Sequence, residues 1–228
     1  MNIAGLQKMT LLDYPGKIAC TVFLPGCNLR CPFCHNASLV LPERLHALMT
    51  QGELLEFLST RTRKLEGVCV TGGEPTLYHD LPELLLQIRS LGFSVKLDTN
   101  GTQPKMLQAV LDEGLADYVA MDIKNSPAKY AGTCGGLDVL PEVQESIRLL
   151  MNSGVDYEFR TTVLHPWHTP EDLTAIGRWI TGAKRYFIQA FADSGDLIGT
   201  GDALTEPQLQ ALLQAVKPFI PDAQLRGV

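Results

Sequence analysis

The stretch Ile18-Ala19-Cys20-Thr21-Val22-Phe23-Leu24-Pro25-Gly26-Cys27-Asn28-Leu29-Arg30-Cys31-Pro32-Phe33-Cys34-His35-Asn36 carries two signals in succession. Residues 18–24 are short, apolar and contain β-branched side chains, which is the pattern of a buried strand. Pro25, Gly26 and Pro32 then disfavour a helix, so residues 25–36 read as a loop. That loop holds Cys27, Cys31 and Cys34, half of the chain's six cysteines.

Working outward, a strand–helix alternation follows. Residues 53–63 have helical spacing, with Leu54, Leu55, Phe57 and Leu58 on the apolar side. Strands are expected at 67–71, 93–97, 118–123, 157–163 and 186–190, and further helices at 81–91, 104–111, 141–151, 170–180 and 207–216. Gly182 is the expected C-cap residue after the fifth helix. The end segments 3–6 and 223–228 read as short strands, and Asp13-Tyr14-Pro15-Gly16 as a turn. Six strands alternating with six helices imply an α/β fold with a parallel sheet buried on both faces. Periodicity leaves an open doubly wound sheet and an incomplete barrel equally possible. In either, ligands sit at the C-terminal ends of the strands. The cysteines, the Gly72-Gly73-Glu74-Pro75 turn, Asp98-Thr99-Asn100-Gly101, and Asp122 with Lys124 all fall at such ends, and Arg160 lies within the fifth strand.

At 228 residues, 45% apolar and 19% charged, the composition is that of a globular chain, expected to form one domain over 1–228. The net charge of −6 argues against nucleic acid as the main partner. The longest basic run, Arg61-Thr62-Arg63-Lys64, reads as a solvated helix end. No signal peptide or membrane span is evident, so a cytoplasmic location is expected. Thiols stay reduced there, and clustered cysteines point to metal or catalysis.

Three thiolates are one too few for a closed structural zinc site. A four-iron cluster normally takes four, so three leave one iron open to a small molecule. The cysteine loop therefore reads as an iron–sulfur site, with zinc and simple packing as the lesser readings. Cys20 and Cys69, in apolar strands, read as small buried hydrophobes. Cys134 lies in a glycine-rich loop, with a fourth-ligand role as its minor reading. The Gly-Gly turn at 72–73 signals a close backbone approach, and Glu74 offers an acceptor. Asp98 and Asp122 could bind a cation, orient a hydroxyl or do acid–base work, or simply cap turns. His165 and His168 flank Trp167 in a loop that reads as surface packing, with partner contact as the alternative.

The C-x3-C-x2-C loop after the first strand, with Phe33 before its third cysteine, resembles the signature of the radical S-adenosylmethionine (radical SAM) enzymes. This resemblance implies a partial (β/α)6 barrel with a parallel sheet and outer helices. It also implies a [4Fe–4S] cluster on Cys27, Cys31 and Cys34, whose open iron chelates the methionyl amine and carboxylate of S-adenosylmethionine. Gly72, Gly73, Glu74 and Pro75 resemble the family's GGE motif, which contacts that amine, and a carboxylate suits a cationic amine. The stretches around Asp98 and Asp122 are similar to those of pyruvate formate-lyase activating enzyme and its relatives. That likeness implies a monovalent cation held by Asp98, Thr99 and Asp122 beside the cofactor carboxylate, with Lys124 near cofactor or partner. Phe33 and Asn100 lie inside the matched stretches and are counted with the cofactor site. Arg160 is implied to touch the ribose or carboxylate, with pairing to a nearby acid as the alternative. Gln189 is implied on the adenosine side.

The expected elements use nearly all of the chain, which suits an enzyme whose substrate is another protein. Cys34-His35-Asn36 resembles the glycyl-radical-enzyme activases, which take hydrogen from a backbone glycine of a large partner. Leu11-Leu12-Asp13-Tyr14-Pro15-Gly16-Lys17, followed by Phe23-Leu24-Pro25-Gly26-Cys27, resembles the longer form of the anaerobic ribonucleoside-triphosphate reductase activating proteins. Tyr14 replaces the glycine usual elsewhere in the group. The implied partners are that reductase and a flavodoxin-like electron donor. The rivals are a radical SAM enzyme of the 7-deazaguanine-precursor type and a non-catalytic metal-binding module.

Overall fold

The computed structural model describes residues 1–44 and 48–228. Its strands are β1 (Asn2–Ile3), β2 (Gly5–Thr10), β3 (Ala19–Leu24), β4 (Met49–Thr50), β5 (Gly67–Gly72), β6 (Ser94–Thr99), β7 (Tyr118–Asp122), β8 (Asp156–Val163), β9 (Tyr186–Ala190) and β10 (Gln224–Arg226). The helices are α1 (Ala37–Val40), α2 (Gln51–Ser59), α3 (Leu81–Ser90), α4 (Pro104–Asp112), α5 (Tyr130–Thr133), α6 (Leu140–Asn152), α7 (Pro170–Trp179) and α8 (Glu206–Val216). Their starts follow from local chemistry. Thr50 with Glu53, and Thr169 with Asp172, form capping boxes at α2 and α7. Proline occupies the first turn of α3, α4, α6, α7 and α8, where its missing N–H is no loss.

Eight strands form one sheet in the order β10-β9-β8-β7-β6-β5-β3-β2, and β1 pairs with β4 in a separate two-stranded ribbon. Every pairing from β3 to β10 is parallel. The sheet ends at β2 and β10, which are not paired to each other among the described residues, so the barrel stays incomplete.

The N-terminus differs from the expected single strand at 3–6. The chain breaks at Ala4, and β2 runs on to Thr10 as an antiparallel edge on β3. The Asp13-Tyr14-Pro15-Gly16 turn permits this, because antiparallel neighbours need only a short reversal whereas parallel ones need a crossover. The short helices α1 and α5 were not expected. Gly182 takes a positive φ of 89° but lies two residues beyond the cap, Ile180.

The two faces of the sheet differ in chemistry. The outward face carries Val22, Val70, Leu97, Val119 and Phe159, packed with Leu54, Leu84, Leu107, Ile147 and Leu173 of the helices in one core. The inward face carries Thr21, Cys69, Lys96, Asp98, Asp122, Arg160 and Thr162. Among the described residues, no helix is long and apolar enough to cross a membrane.

Candidate active site

A cavity of about 360 Å³ lies on the inward face, within the range of roughly 300–1,000 Å³ usual for small-molecule sites. Its lining includes Cys27, Phe33, Cys31, Cys34, Gly72, Gly73, Glu74, Asp98, Thr99, Asn100, Asp122, Lys124, Arg160 and Gln189. Every expected site residue except Pro75 therefore meets in one place. Pro75 is buried at the start of a single 3-10 turn behind the cavity.

The glycine pair follows from packing. Gly72 has a φ of 133°, and a Cβ there would lie 2.2 Å from the Leu24 carbonyl oxygen. A Cβ on Gly73 would lie 1.8 Å from the Gly26 carbonyl oxygen. Only glycine permits this contact, and it lets the Gly73 and Glu74 N–H groups bond the carbonyls of Leu24 and Gly26 at 2.9 and 2.8 Å. The turn after β5 thus props up the base of the cysteine loop.

Glu74 is buried and does not reach into the cavity as a free acceptor. Its carboxylate accepts the Asn100 N–H at 2.6 Å, the Thr99 hydroxyl at 2.7 Å, the Thr76 N–H at 3.0 Å and the Thr76 hydroxyl. Burial raises its pKa despite these donors. Asn100 continues the network to the cysteine loop: its amide donates to Asn28 Oδ1 at 3.1 Å and lies 3.7 Å from Cys27 Sγ.

The three thiols differ in environment. Cys27 Sγ accepts the Leu29 N–H at 3.3 Å, while burial pushes this thiol up to about 11. Burial also raises Cys34. Cys31 is lowered, chiefly by a hydrogen bond from the Cys134 thiol. Cys134 is thus a neighbour of the loop and not an isolated loop residue; its carbonyl also accepts the Arg30 N–H at 3.4 Å. Among the described residues, no three His, Cys, Asp or Glu side chains are already drawn together closely enough to hold an ion. The thiols share one cavity without converging. Three soft sulfur donors on a single loop, facing a cavity of small-molecule size, fit an iron–sulfur cluster with an open iron.

At the strand ends, register aligns Asp122 with Arg160 and Cys69 with Lys96. Arg160 pairs with Asp122 through Nε at 2.9 Å and with Asp98 through Nη1 at 3.1 Å. Lys124 Nζ lies 2.9 Å from Asp122 Oδ2, and Lys96 Nζ bonds Asp98 Oδ1. Burial alone would raise both carboxyls, but Arg160 and the two lysines outweigh it and hold them well below the usual range. The pairing alternative for Arg160 is the one found.

Three residues depart from expectation. Lys96 was missed, although Lys96-Leu97-Asp98 puts two charges on the same face of a buried strand. Cys69 is buried but faces this charged cluster, 3.6 Å from Lys96 Nζ. His168 is not at the surface: it is 5% exposed, sits edge-on to Phe33, and bonds the Lys124 carbonyl at 2.9 Å. Trp167 packs on Phe33 from the same loop, whereas His165 is exposed.

The sequence profile of the radical SAM superfamily matches residues 21–180, which span β3 through α7 and so contain the cysteine loop and every charged residue just described. The chain belongs to the radical SAM superfamily. The cofactors of radical SAM enzymes are a [4Fe–4S] cluster and S-adenosylmethionine. A provisionally named glycyl-radical enzyme activating enzyme of Methanocaldococcus jannaschii is 32% identical over 237 residues, covering 99% of this chain and 96% of that one. A 7-carboxy-7-deazaguanine synthase of Thermococcus kodakarensis is 31% identical over 158 residues, covering 61% of each. The radical SAM fold is also seen in Streptococcus suis SuiB, solved with S-adenosylmethionine. That likeness has a TM-score of 0.71 at 15% identity and covers 91% of this chain. This chain spans about half of SuiB, 52%.

Proposed function

We propose that this radical SAM enzyme activates a glycyl radical enzyme by taking a hydrogen atom from a backbone glycine of that partner. The observation that carries the reading is the similarity, along nearly the whole of both chains, to the activating enzyme of M. jannaschii. Cys34-His35-Asn36 supports it from within the cysteine loop. In this reading residues 1–228 act as one unit in a reducing cytoplasm, the partner is an anaerobic ribonucleoside-triphosphate reductase, and a flavodoxin-like protein supplies the electron.

Cys27, Cys31 and Cys34 would hold the cluster. The backbone at Gly72, Gly73 and Glu74 would receive the methionyl amine, with Pro75 supporting the turn, and Lys124 and Arg160 would receive the methionyl carboxylate. Phe33 and Gln189 would flank the adenosine. When bound, cluster and cofactor supply a one-electron cleavage that yields a 5′-deoxyadenosyl radical. The protein's part is to orient the cofactor and exclude water. Glu74, Thr99 and Asn100 act one step back, by fixing the turn after β5 against the cysteine loop.

Co-incubation of the reduced, cluster-loaded protein with candidate glycyl radical enzymes tests the reading. A glycyl radical signal in electron paramagnetic resonance is expected with the reductase. The similarity to the deazaguanine synthase supports the small-molecule reading over 61% of the chain. That reading gains if 5′-deoxyadenosine forms only with a 7-deazaguanine precursor and no partner acquires a radical.

A further inference from the structure

The likeness to pyruvate formate-lyase activating enzyme implies a monovalent metal ion held by Asp98, Thr99 and Asp122. The residues present do not fit one. All four oxygens of the two carboxylates already accept hydrogen bonds from cationic side chains. Asp98 takes Lys96 on Oδ1 and Arg160 on Oδ2; Asp122 takes Arg160 on Oδ1 and Lys124 on Oδ2. The Thr99 hydroxyl is turned the other way, donating to Glu74 at 2.7 Å and accepting the Gly101 N–H at 3.1 Å.

Charge leads to the same conclusion. Three cations face two carboxylates, in side chains that are 2% exposed for Lys96, 13% for Asp98 and 15% for Arg160. The neighbouring acids are engaged elsewhere, Asp13 with the Thr21 hydroxyl. Glu74 is occupied by Thr76, Thr99 and Asn100, and Glu158, the next inward residue on β8, is paired with Arg226. A metal ion would add a fourth positive charge beside two carboxylates that three cations already contact. A carboxylate would add a negative charge instead.

We infer that Lys96, Arg160 and Lys124 together replace the monovalent ion, so that this chain takes the methionyl carboxylate of S-adenosylmethionine on its own side chains and needs no sodium or potassium. The inference rests on the radical SAM assignment. Lys96 is the positioning residue: it fills Asp98 Oδ1, the oxygen an ion would otherwise occupy.

The test measures S-adenosylmethionine binding to anaerobic, cluster-loaded protein at constant ionic strength, in tetramethylammonium, sodium and potassium chloride. Wild type is expected to bind equally, within about twofold, in all three. Lys96→Met is expected to bind about tenfold more weakly in tetramethylammonium and to recover in potassium, while Lys96→Arg stays independent of the salt. Thallium-205 line widths should be unchanged by cluster-free wild type and broadened by Lys96→Met. Tighter wild-type binding in potassium, or thallium broadening by wild type, would overturn the inference. So would a Lys96→Met variant that behaves like wild type. Failure to bind in every salt would be a different result: it would remove the cofactor assignment and this inference with it.

Discussion

At the scale of single residues, Gly73 and His168 carry the most direct consequences. A methyl group on Gly73 would collide with backbone, which cannot swing aside as a side chain can. Gly73→Ala should therefore cost about 1–3 kcal/mol in urea unfolding and impair cluster uptake, because the displaced atoms belong to the base of the cysteine loop. His168 is held neutral by burial, with Nε2 on the Lys124 carbonyl and Nδ1 3.4 Å from the Leu164 N–H. Its folded pKa lies below the ordinary value of 6.5. The unfolded chain thus binds the extra proton first as pH falls. The stabilisation is complete above about 6.5 and is lost progressively below it. His168→Gln should flatten the wild-type decline in unfolding midpoint between pH 7.5 and 5. A decline of equal slope in both proteins would contradict the assignment.

At the scale of elements, the segment after β9 straps the cysteine loop. The Ile198 and Gly199 N–H groups bond the carbonyls of Cys34 and Pro32 at 3.3 and 2.7 Å, and Ser194 Oγ donates to the His35 carbonyl at 2.7 Å. Asp196 receives the Ser38 N–H at 2.8 Å and pairs with Arg44 at 3.7 Å. Asp196→Ala should leave global stability within about 1 kcal/mol, since these partners are partly exposed. It should speed iron loss to a chelator several-fold in the loaded protein. Sequence reading found the loop but not the strap, because residues 191–201 have no periodicity and meet the loop across more than 150 positions of sequence. The same reason explains other misses. Parallel strands and proline-started helices were legible from apolar runs and first-turn chemistry. The antiparallel β2 was not, because only Thr10 of residues 5–10 is fully buried and the segment lacks an apolar run. Cys134 looked isolated because its neighbour Cys31 is more than a hundred positions away. Lys96 and Glu158 were overlooked because a parallel strand was expected to be apolar on both faces, and this sheet is polar inside.

At the scale of the whole molecule, that polar interior needs compensation along its length. Glu158 is 1% exposed and is held by Arg226 at 2.7 and 3.0 Å and by the Tyr118 hydroxyl at 2.8 Å. Arg226 comes from β10, the last strand, and lies 3.6 Å over the Phe187 ring. It fastens one edge of the incomplete barrel to an interior carboxylate. Arg226→Met should destabilise by about 3 kcal/mol by stranding a buried charge, and adding Glu158→Gln should recover part of the loss. Below this, Tyr14 packs against Tyr118, Ala19 and Ala120 and fills the end of the barrel away from the cysteines. The remaining opening faces the cysteine loop and the charged cluster, where a zwitterionic cofactor meets both soft sulfur donors and paired charges. The most direct measurement of that claim is anaerobic reconstitution with iron and sulfide, followed by dithionite and S-adenosylmethionine, with 5′-deoxyadenosine as the product scored. Wild type should form it and Cys31→Ala should not. A fully loaded wild-type cluster that yields none would contradict the account.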